Sequence, residues 1–384
     1  MMTPCRAASV KESYDVIVVG CGPAGAAFIR QLENRNCRLS VLVLDKQSFP
    51  RDKVCGDAIS VHSLEILHRI FPESRGPFPS SALSHLITVV FPNGTRIRLG
   101  RSTVDVIPRL QFDTFLRNSL AVTDADILEH AKVIDLSVPP AGRAAVTVEV
   151  DDQVRQFNAN LVLGADGSSS LVRRKTGSVE DDLFVVPVRQ YVKDIPRRDD
   201  GLVIIMDPPN QGYFWIFPFQ RDTTQWANVG YGSRKATPRR RFEALCNTPL
   251  VRHYLGDGTF QGKIKGFPLN MAATQLNRLM PHRSIAGPGY LLLGDAACLA
   301  HPHTGEGISA ALFSGGLAAD LLADGLARED LAQAYQTKVF QFLQSAYHMR
   351  SSSMLFAYPC IFPAFLSGPY VKLLRWQHHR DSAR

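Results

Sequence analysis

The sequence of 384 residues lacks the features that mark zinc-binding, secreted or membrane-spanning proteins. Its seven cysteines include no CxxC pair, which argues against a structural zinc and favours reduced thiols in a cytosolic protein. The first thirteen residues have no apolar core, so we expect no secretory signal there. A run of 18 apolar residues is also missing, which excludes an ordinary transmembrane helix. The cysteines are Cys5, Cys21, Cys37, Cys55, Cys246, Cys298 and Cys360.

The composition itself is that of a globular protein. Apolar residues make up 45% and charged residues 20% of the chain, which favours a folded core. The length allows about two or three domains. The net charge of +8 could favour anionic ligands. The basic runs 173–175 and 239–241 contain no interleaved aromatic residues, so we expect solvated helix faces there and no nucleic-acid binding.

The most apolar stretch near the end of the chain is MLFAYPCIFPAFL, residues 354–366. Two prolines interrupt it, and basic residues and a tryptophan follow it. These features are consistent with a buried pair of C-terminal helices or with docking onto a membrane surface. We expect a cytoplasmic protein, with peripheral association at a membrane surface as the alternative.

A glycine-rich turn, GCGPAGAA, follows an apolar run typical of a buried strand. Gly20 suits a tight strand-to-helix turn, Gly22 allows a pyrophosphate to approach the backbone, and Gly25 allows close packing of helix on strand. Such a motif is weak by itself, because glycine also serves ordinary turns.

The sequence around this turn strengthens the interpretation. A helix is expected over 24–34 and a second strand over 39–44, which completes a βαβ unit. Asp45 closes the second strand, where a carboxylate accepts hydrogen bonds from an adenosine ribose. The combination predicts a dinucleotide site.

Two further clusters of glycine and acid lie far along the chain. Residues 164–167 read Gly-Ala-Asp-Gly, and Gly294 and Asp295 precede a loop at 302–307 that contains two more glycines. A left-handed turn and a helix cap are the local alternatives. A single phosphate needs one such cluster, so three clusters predict a long polar ligand that runs through the domain.

With these clusters the chain resembles the FAD-dependent oxidoreductase superfamily built on the p-hydroxybenzoate hydroxylase fold. The resemblance implies FAD as the cofactor, with the first cluster on its pyrophosphate, Asp166 and Gly167 nearby, and Asp295 on the ribityl hydroxyls. The loop before Ile308 would place a positive helix end by the flavin pyrimidine edge, where reduced flavin carries negative charge. Arg109 matches an arginine that opens a helix beneath the flavin, with a plain surface arginine as the alternative.

The implied fold is α/β: a glutathione-reductase-like (Rossmann-type) FAD domain with an inserted mixed β-sheet substrate domain and a small helical C-terminus. The expected bounds are 14–80, 100–180 and 285–340 for the FAD domain, 81–99 and 181–284 for the substrate domain, and 341–384 for the C-terminal region. The residues assigned to FAD are Gly20, Gly22, Pro23, Ala24, Gly25, Asp45, Lys46, Cys55, Gly56, Asp57, Arg109, Val133, Asp166, Gly167, Gly294, Asp295, Pro302, Gly305, Gly307 and Ile308. No metal is expected, because His301 and His303 lack further ligands at suitable spacing.

Two stretches resemble the geranylgeranyl reductase branch of this superfamily. They are FPRDKVCGDAIS and GYFWIFPFQRDTTQWANVGYG, and GEGI at 305–308 points the same way. Asp57 is a departure, because many members have glycine there. The branch implies reduction of carbon–carbon double bonds in an isoprenoid or similar lipid-like substrate. We predict Cys55, Tyr213 and Trp215 as the catalytic residues.

The proposed chemistry needs a hydride from reduced flavin and a proton for the other carbon. A Cys55 thiol buried against the flavin in an apolar pocket would stay protonated at neutral pH and could give that proton. Inert packing is the alternative. Lys53 and Arg51 could hold a substrate diphosphate, phosphate or carboxylate, or could lie in a solvated loop.

The aromatic stretch that begins at Tyr213 reads as a strand. Alternation predicts Tyr213, Trp215 and Phe217 on one face and Phe214, Ile216 and Pro218 on the other. One face would pack on the core and the other would line a long apolar pocket. An aromatic core strand is the alternative.

Two other functions stay open. Reaction with oxygen through a flavin hydroperoxide would make the protein a monooxygenase, a hydroxylase or epoxidase of an apolar or aromatic natural product. Halogenation is disfavoured, since the stretch 213–218 only approximates the tunnel motif WxWxIP. A flavoprotein scaffold without catalysis is the third possibility. An external donor, NAD(P)H, ferredoxin or a reductase, would supply electrons, because no second GxGxxG follows a strand.

Overall fold

We analysed a computed structural model that describes residues 10–76, 78, 81–177, 184–235, 237–271, 284–302 and 304–346. The strands are β1 (Ser13–Val19), β2 (Val41–Leu44), β3 (Ala58–Ser60), β4 (Leu83–Val90), β5 (Arg96–Val106), β6 (Asp126–Leu128), β7 (Lys132–Ser137), β8 (Ala144–Val150), β9 (Gln153–Gly164), β10 (Phe184–Val185), β11 (Val188–Lys193), β12 (Leu202–Asp207), β13 (Gly212–Arg221), β14 (Thr224–Ser233), β15 (Thr259–Gly266), β16 (Leu269–Asn270), β17 (Ala286–Gly287) and β18 (Tyr290–Leu292). The helices are α1 (Pro23–Asn34), α2 (Val61–Ile70), α3 (Arg109–Asn118), α4 (Leu171–Thr176), α5 (Pro238–Cys246), α6 (Pro249–Leu255), α7 (Ile308–Ala323) and α8 (Arg328–Ala346).

The first sheet is built on parallel strands. Its order is β17-β18-β9-β1-β2-β6, and the hairpin β7-β8 joins it at β9. β1 and β2 are almost wholly buried apolar runs, as expected for parallel strands covered on both faces. Helices α1 and α7 pack closely, which is possible because Gly315 has no side chain. A Cβ at Gly315 would lie 2.1 Å from the carbonyl oxygen of Ala24.

The second sheet is mixed and mostly antiparallel. Its order is β15-β11-β14-β13-β12-β4-β5-β3, with β12 and β4 parallel. One face carries Phe214 and Ile216 in a core with α5 and α6, where Phe214 stacks on Phe242 at 5.6 Å. The opposite face carries Tyr213, Trp215 and Phe217. The predicted alternation along β13 is therefore confirmed.

The predicted helix over 24–34 corresponds to α1, and the predicted second strand over 39–44 corresponds to β2, which pairs in parallel with β1. The predicted βαβ unit is therefore confirmed. In the second sheet, β5 extends to Val106 and pairs with the short strand β3. The second sheet thus takes residues from ranges assigned to the FAD domain; the domain bounds themselves stay a prediction.

The predicted C-terminal region is described through residue 346, the last of α8. The apolar stretch 354–366 and His303 lie outside the described residues. Among the helices that the structure describes, none has the length and apolar character needed to cross a membrane.

Candidate functional site

The turn between β1 and α1 needs its glycines for steric reasons. Gly20 has a φ of +103°, and a Cβ there would lie 2.4 Å from the carbonyl oxygen of Ala165. A Cβ on Gly25 would lie 2.1 Å from the carbonyl oxygen of Gly20. At Gly22 the nearest atom to a Cβ is Nη2 of Arg51, at 3.6 Å. The space above Gly22 is therefore open, as a bound pyrophosphate requires.

The three glycine-acid clusters meet at the carboxyl ends of the parallel strands. The Ala165 N–H donates to the Val19 carbonyl at 2.8 Å, which joins the second cluster to the first. The Leu293 N–H donates to the Gly164 carbonyl at 2.8 Å, which joins the third cluster to the second. Clusters that are distant in sequence are thus adjacent in space, as predicted.

Arg173 links the second and third clusters, and sequence reasoning missed it. It is 1% exposed, and its guanidinium donates to the carbonyls of Ser168 at 2.5 Å and Ala296 at 3.0 Å. The expectation of a solvated helix face is wrong for this residue, because its side chain turns inward to the two loops. Arg174 and Lys175 are exposed as expected. Nothing in a run of three basic residues indicates which one is buried.

We expect Arg173→Met to lower the free energy of unfolding by about 3 kcal/mol, because buried carbonyl oxygens lose a charged donor. Arg174→Met, on the exposed side of the same helix, is the control and should change it by less than about 0.5 kcal/mol. Urea unfolding of both variants measures the difference. Equal losses would contradict the linking role of Arg173.

Asp45, in the first cluster, and Asp166, in the second, differ in how completely their oxygens are hydrogen-bonded. Asp45 is 6% exposed and accepts hydrogen bonds from the Cys21 N–H at 2.8 Å and the Gln47 N–H at 2.9 Å. Asp166 Oδ2 accepts from the Leu171 N–H at 2.6 Å, and its buried Oδ1 makes no hydrogen bond within the described part of the chain. Burial raises the pKa of Asp166. An unsatisfied buried oxygen beside an open glycine turn fits a nucleotide cofactor that carries hydroxyl donors.

Arg51 lies over the glycine turn that follows β1. Its guanidinium is 3.3 Å from Asp113 Oδ2 and 3.9 Å from Asp45 Oδ2, and it faces Gly22. From the sequence alone, we considered a substrate diphosphate, phosphate or carboxylate as the partner of Arg51. Its position over the glycine turn instead suits a cofactor phosphate.

Arg109 opens α3 as predicted and is 3% exposed. Its guanidinium forms a two-point ion pair with Asp113, at 2.6 and 2.8 Å, and interacts electrostatically with the nearby Cys55 side chain. Burial lowers the pKa of Arg109, but Asp113 and Cys55 more than offset burial, so the pKa is raised. The surface alternative for Arg109 is wrong.

Cys55 is half-buried beside this guanidinium. Its carbonyl accepts a hydrogen bond from Asn228 Nδ2 at 2.8 Å. The charge of Arg109 makes the surroundings of Cys55 polar on this side, and an apolar pocket on the other sides of the thiol stays a prediction. A neighbouring cation stabilises the thiolate that remains after a cysteine gives up its proton.

The aromatic face of β13 packs against the loop over residues 45–57, between β2 and β3, which we call the Cys55 loop. Trp215 donates its indole N–H to Asn228 Oδ1 at 3.0 Å, and its ring lies so close to Gly230 that a Cβ there would be 2.0 Å away. A Cβ on Gly56 would lie 3.2 Å from the Phe217 ring. Gly56 therefore lets the Cys55 loop approach β13, and Gly230 leaves room on β14 for the Trp215 ring.

Tyr213 lies at the third cluster. Its hydroxyl donates to the Thr304 carbonyl, and burial together with nearby Cys55 raises the pKa of Tyr213 to about 12. The Pro302 carbonyl accepts from Arg234 Nη2 at 2.9 Å. The second sheet thus holds the loop before α7 in place.

The remaining predicted cofactor residues lie around the same edge of the sheet. Lys53 Nζ is 3.2 Å from Asp295 Oδ2, so the Cys55 loop also reaches the third cluster. Pro23 and Ala24 begin α1, and Gly307 caps α7 before Ile308. Lys46 is exposed after Asp45, and Val133 is half-buried in β7. Three glycines have a positive φ: +79° at Gly167, +53° at Gly294 and +70° at Gly305. Their roles in binding FAD stay predictions.

Asp57 is fully buried, and its left-handed φ is +65°. Its Oδ2 accepts hydrogen bonds from the Tyr191 hydroxyl at 2.6 Å and Asn228 Nδ2 at 2.7 Å. Burial raises the pKa of Asp57 to about 6, although Arg189, Tyr191 and Asn228 act in the other direction. These partners are protein groups of the second sheet.

The raised pKa of Asp57 predicts a pH dependence of stability. The folded protein binds this proton more tightly than the unfolded chain, whose value is near the ordinary 3.8. The resulting stabilisation is complete below about pH 4 and is lost as the pH rises through about 6, by about 3 kcal/mol. The difference in unfolding free energy between wild type and Asp57→Asn measures it. A difference that is constant from about pH 4 to about pH 7 would contradict the shift.

The chain matches the family described as FAD binding domain over residues 13–348. Menaquinone reductase of Mycolicibacterium smegmatis is 29% identical over 337 residues, which cover 81% of this chain and 76% of that protein. Digeranylgeranylglycerophospholipid reductase 2 of Methanopyrus kandleri is 28% identical over 333 residues, covering 84% and 80%. The structure of a geranylgeranyl bacteriochlorophyll reductase-like protein from Thermoplasma acidophilum shares the fold, with a TM-score of 0.73 at 22% identity over 90% of this chain and 86% of that one. The chain therefore belongs to the FAD binding domain family, in its geranylgeranyl reductase branch, and is an FAD-dependent oxidoreductase.

Proposed function

We propose that this oxidoreductase reduces carbon–carbon double bonds in the isoprenoid chain of a lipid-like substrate. The observation that carries the proposal is the position of Cys55. Its thiol lies by the Arg109 guanidinium, on a loop that packs against the aromatic face of β13 and reaches the third glycine cluster. Relatives named for reduction of menaquinone and of digeranylgeranylglycerophospholipid support a substrate of this class.

We propose that side chains of the protein supply the proton that is added to the double bond. When bound and reduced, FAD supplies the hydride that adds to one carbon of the double bond. The Cys55 S–H bond breaks as its proton passes to the other carbon, where a C–H bond forms. Arg109 faces the thiolate that is left, and water returns the proton afterwards. The substrate gains one hydride and one proton, and so two hydrogens.

The aromatic face of β13 supplies exclusion of water. Trp215 is 6% and Phe217 9% exposed, and the indole N–H of Trp215 is already used by Asn228. Because both rings are covered, they help to keep water away from the Cys55 loop. Tyr213 contributes by holding the Thr304 carbonyl, and with it the loop before α7.

The test is an anaerobic assay of the FAD-loaded, chemically reduced protein with menaquinone, digeranylgeranylglycerophospholipid and geranylgeranyl diphosphate. Mass spectrometry should show at least one product that has gained two hydrogens per double bond reduced. Products that appear only in air and contain added oxygen would show a monooxygenase instead. No turnover of any of the three substrates would contradict the proposal. NAD(P)H and reduced ferredoxin, tested in place of the chemical reductant, identify the class of external donor.

A further inference from the structure

The loop that carries Cys55 is held by a buried carboxylate two residues further on. Asp57 accepts hydrogen bonds from strands β11 and β14 through Tyr191 and Asn228. Its Oδ1 is 3.3 Å from the N–H of Arg109, at the start of α3, and its carbonyl accepts from the Ile107 N–H at 2.9 Å. Asp57 thus joins the second sheet to the helix that carries the arginine next to the thiol.

Asn228 extends this connection to Cys55 itself. Its Nδ2 donates to both the Cys55 carbonyl at 2.8 Å and Asp57 Oδ2 at 2.7 Å. Its Oδ1 accepts from the Trp215 indole. One amide therefore fixes the backbone of Cys55, the carboxylate of Asp57 and the aromatic face together.

A carboxylate is costly at this position. It is fully buried, where a charge is unfavourable unless it is well partnered, and its left-handed backbone conformation favours glycine. Glycine would relieve both costs, yet it would remove the acceptor for Tyr191 and Asn228. A costly residue with so many directed partners, two residues from the proposed proton donor, points to a role at the site.

We propose that Asp57 is a positioning residue that, with Tyr191 and Asn228, fixes the main chain of Cys55 and sets its thiol against Arg109. The inference rests on the proposed function in that it treats Cys55 as the proton donor. The charged and titratable groups around Asp57 are Arg189 and Tyr191 on β11 and Arg109 on α3. Arg189 stacks on the Tyr191 ring at 4.2 Å, so the ring also keeps that cation near the carboxylate.

The chain offers a matched control for the test. Asp207 is a second buried aspartate, and it accepts a hydrogen bond from the Tyr231 hydroxyl at 2.8 Å. Tyr231 lies in the core covered by α5 and α6, on the face of the sheet opposite Trp215. Asp57→Asn and Tyr191→Phe are therefore compared with Asp207→Asn and Tyr231→Phe. Tyr191→Phe keeps the ring that Arg189 stacks on and removes only the hydroxyl.

The readout is the rate at which iodoacetamide alkylates Cys55 in the FAD-loaded proteins, followed by peptide mass spectrometry. We expect at least about threefold faster alkylation in Asp57→Asn and Tyr191→Phe, because the loop loses hydrogen bonds that hold it and the thiol becomes more accessible. With a prenyl substrate, kcat should fall about tenfold while KM stays within about twofold. The two control variants should match wild type in both measurements.

The inference is overturned if Cys55 reacts at the wild-type rate in both Asp57→Asn and Tyr191→Phe, or if the control pair changes the rate equally. Tyr191→Phe keeps the test decisive if Asp57→Asn does not fold. Alkylation needs no substrate. It therefore tests the role of Asp57 even if wild-type protein turns over no prenyl lipid, a result that would count against the proposed function alone.

Discussion

Gly22→Val is expected to give a folded protein that no longer takes up FAD. A Cβ at Gly22 meets no atom closer than 3.6 Å, and that atom is the end of the flexible Arg51 side chain. The backbone at Gly22 has a φ of −78°, which valine can adopt. The added methyl groups would occupy the space of the pyrophosphate, so FAD affinity should fall at least about 100-fold, or by about 3 kcal/mol.

Flavin absorbance after gel filtration measures uptake, and thermal unfolding of the FAD-free proteins measures the fold. Gly100→Val is the control, because a Cβ there meets nothing within 4 Å and the residue lies exposed on β5. It should bind FAD like wild type. Gly20→Ala should instead destabilise the fold, since its φ is +103° and its Cβ would strike the Ala165 carbonyl. Normal FAD uptake by Gly22→Val would contradict this placement of the pyrophosphate.

Cys55→Ala is expected to keep FAD and the fold but to lower the rate of double-bond reduction by about 100-fold or more, the usual contribution of a positioned general acid. The thiol is half-buried, and Arg109 keeps its two-point ion pair with Asp113 when the thiol is removed, so stability should change little. Product formation is measured under anaerobic conditions with reduced, FAD-loaded protein. Cys37→Ala is the control, a half-buried thiol just past α1.

If Cys55→Ala reduced the double bond at a rate within about threefold of wild type, the proton donor would have to be another group. The rate of Cys55→Ala reports on proton donation only if the variant binds FAD as wild type does. The flavin content of the variant separates loss of a proton donor from loss of the cofactor, since the Cys55 loop also reaches the glycine clusters through Arg51 and Lys53.

The parts of the site that could be predicted from sequence are those with local causes. The spacing of Gly20, Gly22 and Gly25 reflects steric limits of one turn, and the structure shows two of those limits directly. The alternation along β13 follows from the two-residue period of a strand. Three glycine-acid clusters predicted one long ligand, and the contact between clusters could be inferred before any pairing of strands was known.

The parts that were missed depend on groups far apart in the chain. Arg173 reads as one of three surface charges until the Ala296 loop is placed beside it. β3 is three residues long and forms because β5 lies next to it. The partners of Asp57 come from β11 and β14, so its role has no local pattern. Long charged side chains such as Arg51 can turn to either side of a loop, and only the surrounding fold decides.

The most direct test of the account is a single turnover without oxygen. FAD-loaded protein is reduced stoichiometrically and mixed with excess prenyl lipid, while flavin absorbance and the mass of the lipid are followed together. The account predicts that the flavin reoxidises and that one double bond is lost, with two hydrogens gained, for each flavin oxidised. Flavin that stays reduced until air is admitted, with unchanged lipid, would contradict it.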